Sequence, residues 1–147
     1  MAEIAGQIGV SCPPDMVWAV LADFDGISRW APNVDHSCPA TGQRAGVGAI
    51  RRVQVGRNAL LERVIEWESG RHLAYSIEGL PPIVRSVTNV WQLEGSDGST
   101  TVTLTSRIDA GPRPPQEVAA RLFGRVLAKA SREMLGGLKT HLEGVPR

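Results

Sequence analysis

Few residues in this chain could do chemistry. Glu62 sits in an apolar run from Leu60 to Trp67. A carboxylate turned into an apolar chamber is desolvated, which raises its pKa and suits it to proton transfer. The alternation of Leu61, Arg63, Ile65 and Trp67 places Glu62 on the other, wet face. Arg51 shares a strand face with Ala49, Val53 and Val55. It can enter a cavity and bind an acidic or carbonyl group, or snorkel out to water from the open end of its strand. Tyr75 can donate a hydrogen bond to a ligand carbonyl or fill core with its hydroxyl satisfied. His36 and Cys38 share a strand face at period two. A Cys/His nucleophilic pair needs hydrogen-bond contact, and residues i and i+2 on a strand stand roughly 7 Å apart. His36 is therefore read as a polar cavity-wall residue. Glu62, His36 and Tyr75 are the catalytic candidates.

Other chemistries find no support. Three scattered histidines, none at helical or paired-strand spacing with another, offer no zinc or iron site. No GxGxxG or GxxxxGK[ST] string occurs, so phosphate loops are absent and no cofactor is expected. Cys12 and Cys38 lack metal-ligand spacing and are read as free thiols of a cytoplasmic protein.

The elements that must position these residues follow from periodicity and breakers. Ile4 to Val10 alternates as a first strand, stopped by Ser11-Cys12-Pro13-Pro14, with Ser11 or Cys12 expected as N-cap. Met16 to Phe24 makes a short helix, and Ile27 to Trp30 offers one more turn. Six strands are expected next: Val34–Cys38, Gly46–Val55, Leu60–Glu68, Leu73–Glu78, Val84–Leu93 and Thr100–Ile108. Turns at Gly56-Arg57-Asn58, Ser69-Gly70-Arg71, Gly79-Leu80-Pro81-Pro82 and Gly95-Ser96-Asp97-Gly98 divide them. Short turns make neighbouring strands antiparallel.

The breaker run Gly111-Pro112-Arg113-Pro114-Pro115 then opens a helix from Pro115 to Glu143. Ala119, Leu122, Phe123, Val126, Leu127, Ala130, Met134, Leu138 and Leu142 follow helical steps; Arg121, Arg125, Lys129, Arg132 and Lys139 mark the opposite side. Such a helix is about 40 Å long and needs one large apolar surface to lie on. Only the concave face of a curled sheet can supply it.

The totals fit one domain over residues 1–147, with 42 % apolar and 21 % charged residues. A net charge of +1 gives no footprint for nucleic acid, and the sixteen basic residues, of which only Lys129 and Lys139 are lysines, are scattered. No stretch approaches the roughly 18 apolar residues of a membrane span, so membrane insertion is not expected.

Several strings carry a family likeness. Ile8-Gly9-Val10-Ser11, Pro14-Asp15-x-Val17-Trp18, Leu21-x-Asp23-Phe24 and Trp30-x-Pro32 resemble the opening of the polyketide cyclase/dehydrase group of the START-like helix-grip (SRPBCC) superfamily. The likeness implies an α+β helix-grip fold. A curved seven-stranded antiparallel sheet would wrap a long C-terminal helix, with two short helices after the first strand. Glu62-Arg63-Val64, Arg71-His72-Leu73 and Arg85-Ser86-Val87-Thr88 are similar to the corresponding strands of plant abscisic-acid receptors. That likeness implies cavity-facing Glu62, Tyr75, Ser86, Thr88, Leu104, Ser106, Phe123, Leu127 and Ser131, beside the Arg51, Val53 and Val55 face and His36. A bulge in the strand would reconcile an inward Glu62 with the alternation around it. The gate string of those receptors would fall near Gly56-Arg57-Asn58 and is absent, which leaves a gated hormone-receptor mechanism without support.

The implied function is binding or transport of a small hydrophobic ligand, such as a polyketide, lipid or aromatic ring system, between sheet and helix. One alternative is a polyketide cyclase or dehydrase, with Glu62, His36 or Tyr75 moving protons. Another is a regulatory protein with a collapsed cavity. If Tyr75 and Ser86 point inward, period two sends Trp67 and Trp91 to the convex face, where they would form a homodimer or partner patch.

Overall fold

The computed structural model describes residues 2–80, 84–109 and 114–144. The expected loop residues Pro81 and Pro82, the breakers Gly111 to Arg113 and the Ala119 side chain lie outside the described set. Strand β1 (Ala2–Val10) is followed by helix α1 (Pro14–Ala22) and a 3-10 helix (Phe24–Arg29). Strands β2 (His36–Pro39), β3 (Ile50–Val55), β4 (Asn58–Glu68), β5 (His72–Glu78), β6 (Ser86–Ser96) and β7 (Ser99–Asp109) come next, then α2 (Pro114–Glu143). This is the helix-grip order expected from the sequence.

One seven-stranded sheet runs β1-β7-β6-β5-β4-β3-β2, antiparallel at every step. The meander from β2 to β7 thus ends beside β1, and its curl grips α2. Prolines stand in the first turn of α2, where a missing N–H costs nothing. Gly144, at φ +86°, takes the left-handed conformation that ends the helix. At α1 the expected cap by Ser11 or Cys12 is corrected: Pro13 is the N-cap, with no side-chain hydrogen bond. Its carbonyl instead accepts from Met16 and Val17 N–H.

Register decides which side chains face α2. Concave rows cross the sheet as Trp67–Leu73–Trp91–Leu104, Val64–Tyr75–Asn89–Ser106 and Arg51–Glu62–Ile77–Val87. The pairing of β4 with β5 slips between Val64 and Glu66, a β-bulge at Ile65. Leu60, Glu62 and Val64 therefore face inward before the bulge and Trp67 after it, while Leu61 and Ile65 stay exposed.

The same register corrects the convex tryptophan patch. Trp91 lies opposite Leu73 and is 1 % exposed. Trp67, turned in by the bulge, packs edge-on against Trp18 at 5.1 Å between centroids. The premise failed at Ser86: fully buried Val87 takes the concave position with Asn89 and Trp91, so Ser86 and Thr88 point to the convex side. A homodimer surface built on Trp67 and Trp91 has no exposed indoles to use.

The core runs from Val17, Leu21 and Phe24 through Trp30 and Trp91 to Leu135 and Leu138. Leu138 and Leu104 are fully buried. Removing such a leucine to alanine typically costs about 2–5 kcal/mol.

Candidate functional site

Arg51 and Glu62 form the polar centre of the concave face. The hairpin joining β3 to β4 has two turn residues, Gly56 and Arg57, with Gly56 at φ +59°. That turn pairs Val55 with Asn58 and, four residues back along each strand, Arg51 with Glu62. The guanidinium donates from Nε to Glu62 Oε1 at 2.7 Å, and Nη2 lies 2.7 Å from the same oxygen in an ion contact. Nη1 donates to the Phe24 carbonyl at 2.6 Å. The group also lies over the rings of Phe24 (3.8 Å) and Tyr75 (4.6 Å). Arg51 is 3 % exposed and Glu62 6 %. A buried pair of this kind demands completed bonds, because a lone buried charge is costly. The phenylalanine carbonyl and the two rings meet part of that demand, and Nη2, buried without a hydrogen bond, keeps only its ion contact with Glu62.

Behind the pair stands a hydrogen-bonded row. Tyr75 Oη accepts from Trp91 Nε1 (3.2 Å) and Asn89 Nδ2 (3.3 Å), and Ser106 Oγ donates to Asn89 Oδ1 (2.6 Å). Burial first, and the Glu62 charge second, push the Tyr75 phenol above its usual range. It is a neutral, structural phenol.

In front of the pair opens a cavity of about 500 Å³. Its walls come from Ile27, Asn33 and Val34 after α1, from Val53, Val55, Asn58 and Leu60 on β3 and β4, and from Ile77, Gly79 and Leu80 at the end of β5. Phe123, Val126, Leu127, Ala130 and Met134 of α2 roof it, and Glu62 and Asn89 form its polar end. A concave, mainly apolar chamber with a few convergent polar groups is the form that small-molecule sites take. A depression of similar size beside Arg29, Arg132 and His141 is shallower and open to solvent, with no buried charge at its base.

The structure sorts the expected site residues by position. Val53, Val55, Glu62, Phe123 and Leu127 line the cavity. Arg51 and Tyr75 lie in the layer behind, with Arg51 engaged by Glu62 instead of snorkelling to water. Leu104, Ser106 and Ser131 are buried on the inner face but away from the cavity lining. Ser86 and Thr88 stand on the convex side. His36 pairs with Gln54 and Cys38 with Arg52, on the side of the sheet opposite Arg51 and Val53, and both are exposed. His36 as a cavity wall is therefore corrected; Ser37, between them, turns inward and donates to the Asp25 carbonyl.

Asn33, Asn89, Leu60, Ile77 and Met134 were not foreseen in the lining. Leu60 and Glu62 alternate on one strand, so an inward Glu62 already implied Leu60. The two-residue reading of the Gly56-Arg57 turn would have given the Arg51–Glu62 pair. Among the described residues no group of three or more His, Cys, Asp or Glu is placed to hold a metal, and no helix is long and apolar enough to cross a membrane.

The chain belongs to the family described as polyketide cyclase/dehydrase and lipid transport, whose model matches residues 1–143. No curated protein matches it. Among solved structures it is similar to the ZhuI aromatase/cyclase from Streptomyces sp. R1128, at 22 % identity and a TM-score of 0.80, covering 97 % of this chain and 93 % of that one. A protein of Thermobifida fusca solved by NMR is 24 % identical, with a TM-score of 0.78, over 100 % of this chain and 99 % of the other. The di-domain aromatase/cyclase BexL of the BE-7585A biosynthetic pathway is 21 % identical, with a TM-score of 0.80, over 97 % of this chain but 47 % of its own. At these identities the likeness is one of fold.

Proposed function

We propose that this protein binds and carries a small hydrophobic molecule, of polyketide, lipid or aromatic type, in the chamber between β3–β5 and α2, as a cytoplasmic protein. The carrying observation is the cavity of about 500 Å³ whose roof is Phe123, Leu127 and Met134 and whose charged end is Glu62 beside Asn89. Phe123 and Leu127 are one helical turn apart and present a continuous apolar surface to it. Binding is favoured over cyclase or dehydrase chemistry by the fate of the proton-transfer candidates. His36 is in solvent, Tyr75 is walled off, and Glu62 is held by Arg51, which leaves, among the described residues, one titratable side chain in the lining and no second group to relay a proton.

The test is titration with the neutral probe N-phenyl-1-naphthylamine. Wild type should enhance its emission saturably, and Leu127→Trp, which fills the chamber, should abolish the enhancement while retaining the wild-type circular dichroism. Undiminished probe affinity in the folded variant would place the ligand elsewhere.

A further inference from the structure

The polar end of the cavity also restricts what kind of polar group a ligand can carry. Glu62 Oε1 takes both contacts from Arg51, and Oε2 has no partner among the described residues. Glu62 lines the cavity, whereas Arg51 does not; its Nε and Nη1 donate to Glu62 and the Phe24 carbonyl, and Nη2, buried without a hydrogen bond, lies in ion contact with Glu62. Asn89 has its oxygen engaged by Ser106 and its nitrogen by Tyr75. Asn33, also in the lining, carries a buried amide oxygen with no partner among the described residues. The chamber therefore presents two acceptors without partners, Glu62 Oε2 and Asn33 Oδ1, one of them anionic; the one buried cation among the described residues, Arg51, lies behind them, and Asn58, the remaining amide of the lining, is exposed. A buried acceptor left without a donor is costly, so an occupant that supplies donors is selected. An incoming carboxylate would meet the Glu62 carboxylate first, and like charges in a dry site repel strongly.

Resting on the cavity-binding reading above, we infer that the ligand is a neutral hydroxylated molecule, an apolar body bearing a phenol or alcohol that donates to Glu62, and that free carboxylic acids such as fatty acids are rejected. Glu62 is then the specificity-determining residue. It selects by accepting a hydrogen bond, so no bond of the ligand is made or broken.

Three probes of one shape decide the matter: 1-hydroxypyrene, pyrene and pyrene-1-carboxylate, each followed by fluorescence at pH 6.5. In wild type 1-hydroxypyrene should bind roughly tenfold more tightly than pyrene, the ratio expected for one hydrogen bond to a charged acceptor. Pyrene-1-carboxylate should bind more weakly than either. In Glu62→Gln the hydroxyl preference should fall to within about threefold, and the carboxylate should gain affinity because the Arg51 charge is no longer opposed. Equal binding of 1-hydroxypyrene and pyrene, or a preference for the carboxylate, overturns the inference while leaving the cavity reading in place. Binding of none of the three overturns both. The wild-type ranking decides without any variant, so a Glu62→Gln chain that fails to fold does not blunt the test. Asn33→Ala, which leaves the ion pair intact, should lower the affinity for 1-hydroxypyrene and leave that for pyrene unchanged if Asn33 shares in the recognition.

Discussion

The two halves of α2 meet the sheet in different ways. From Ser131 onward the helix is seated directly on β1 and the segment after α1. A Cβ on Gly137 would come within 2.3 Å of the Trp30 carbonyl oxygen, and one on Gly6 within 3.1 Å of Leu135 Cδ1. Polar ties hold the same half: Lys139 Nζ donates to the Gly9 carbonyl, and Ser11 N–H donates to Glu143. The half that carries Phe123, Leu127 and Ala130 touches the sheet at Gly124, where a Cβ would come within 3.0 Å of Ile4 Cδ1, and otherwise roofs the chamber, with Leu122 and Val126 57 % and 62 % exposed. One continuous helix thus serves as a weld at one end and as a roof at the other. Between the two stand Arg51, Glu62 and the Tyr75–Asn89–Ser106 row. They give the closed half a hydrogen-bonded polar edge and the open half a polar floor.

That partition predicts where substitutions hurt folding and where they hurt binding. The largest effect should come from the dividing wall. Arg51→Met removes the one cation that pairs with Glu62 among the described residues and frees the Phe24 carbonyl, and breaking a buried pair from one side costs about 3–5 kcal/mol. Urea unfolding of Arg51→Met beside the double variant Arg51→Met, Glu62→Leu measures it. The double variant should recover most of the loss. If it stays as unstable as the single one, the cost lies in packing against Phe24 and Tyr75 and not in the stranded charge.

Next in size is the weld itself. Gly137→Ala places a methyl against the backbone of Trp30 and the ring of Pro32, neither of which is a flexible side-chain end. Overpacking of this kind costs about 1–3 kcal/mol, although alanine is the better helix former by about 1 kcal/mol. Leu127→Trp, in the roof, should change stability by less than about 1 kcal/mol, because the added ring enters existing space. A thermal melt of the two variants side by side checks the contrast. Equal losses would mean that the chamber is as tightly packed as the weld.

How much of this was legible beforehand follows from the periods involved. The long helix, the hairpin at Asp97-Gly98 and the strand order of an antiparallel meander are written in spacing and turn residues, and they stand where expected. Which face each strand turns inward is written less clearly. A period of two gives two equal choices, and one extra residue at Ile65 exchanges them partway along β4. That bulge reconciles Glu62 with Trp67, both inward. The likeness to the receptor strands places Ser86 and Thr88 inside because it is one residue out of phase with Val87, and it carries Trp91 outward. His36 failed for a different reason: β2 is a four-residue edge strand in which the half-buried Ser37 alone, too little to make a pattern, marks the inward phase. Arg51 and Glu62 were each singled out, but their pairing needed the turn length between β3 and β4.

The smallest expected effect lies on the open side, where the 3-10 helix carries Ile27 into the chamber. Asp25, in the first turn of that helix, accepts from Arg44 Nε at 3.2 Å, which ties the segment to the loop between β2 and β3. The Arg44 hydrogen bond holds the Asp25 carboxyl below its ordinary range, against the opposing effect of partial burial. A carboxyl whose folded pKa is depressed contributes stability that is present above its unfolded pKa, about 3.9, and is lost as pH falls through the lower folded value. Arg44 is largely exposed, so solvent screens the pair and its contribution is small. Asp25→Asn should therefore be slightly less stable than wild type at pH 7, with the difference closing as pH falls below about 4. Denaturant unfolding at pH 7, 5 and 3 reads it directly. A difference that persists unchanged at pH 3 would assign the loss to the local packing of the 3-10 helix, and the salt tether to Arg44 would then have no part in holding the chamber wall.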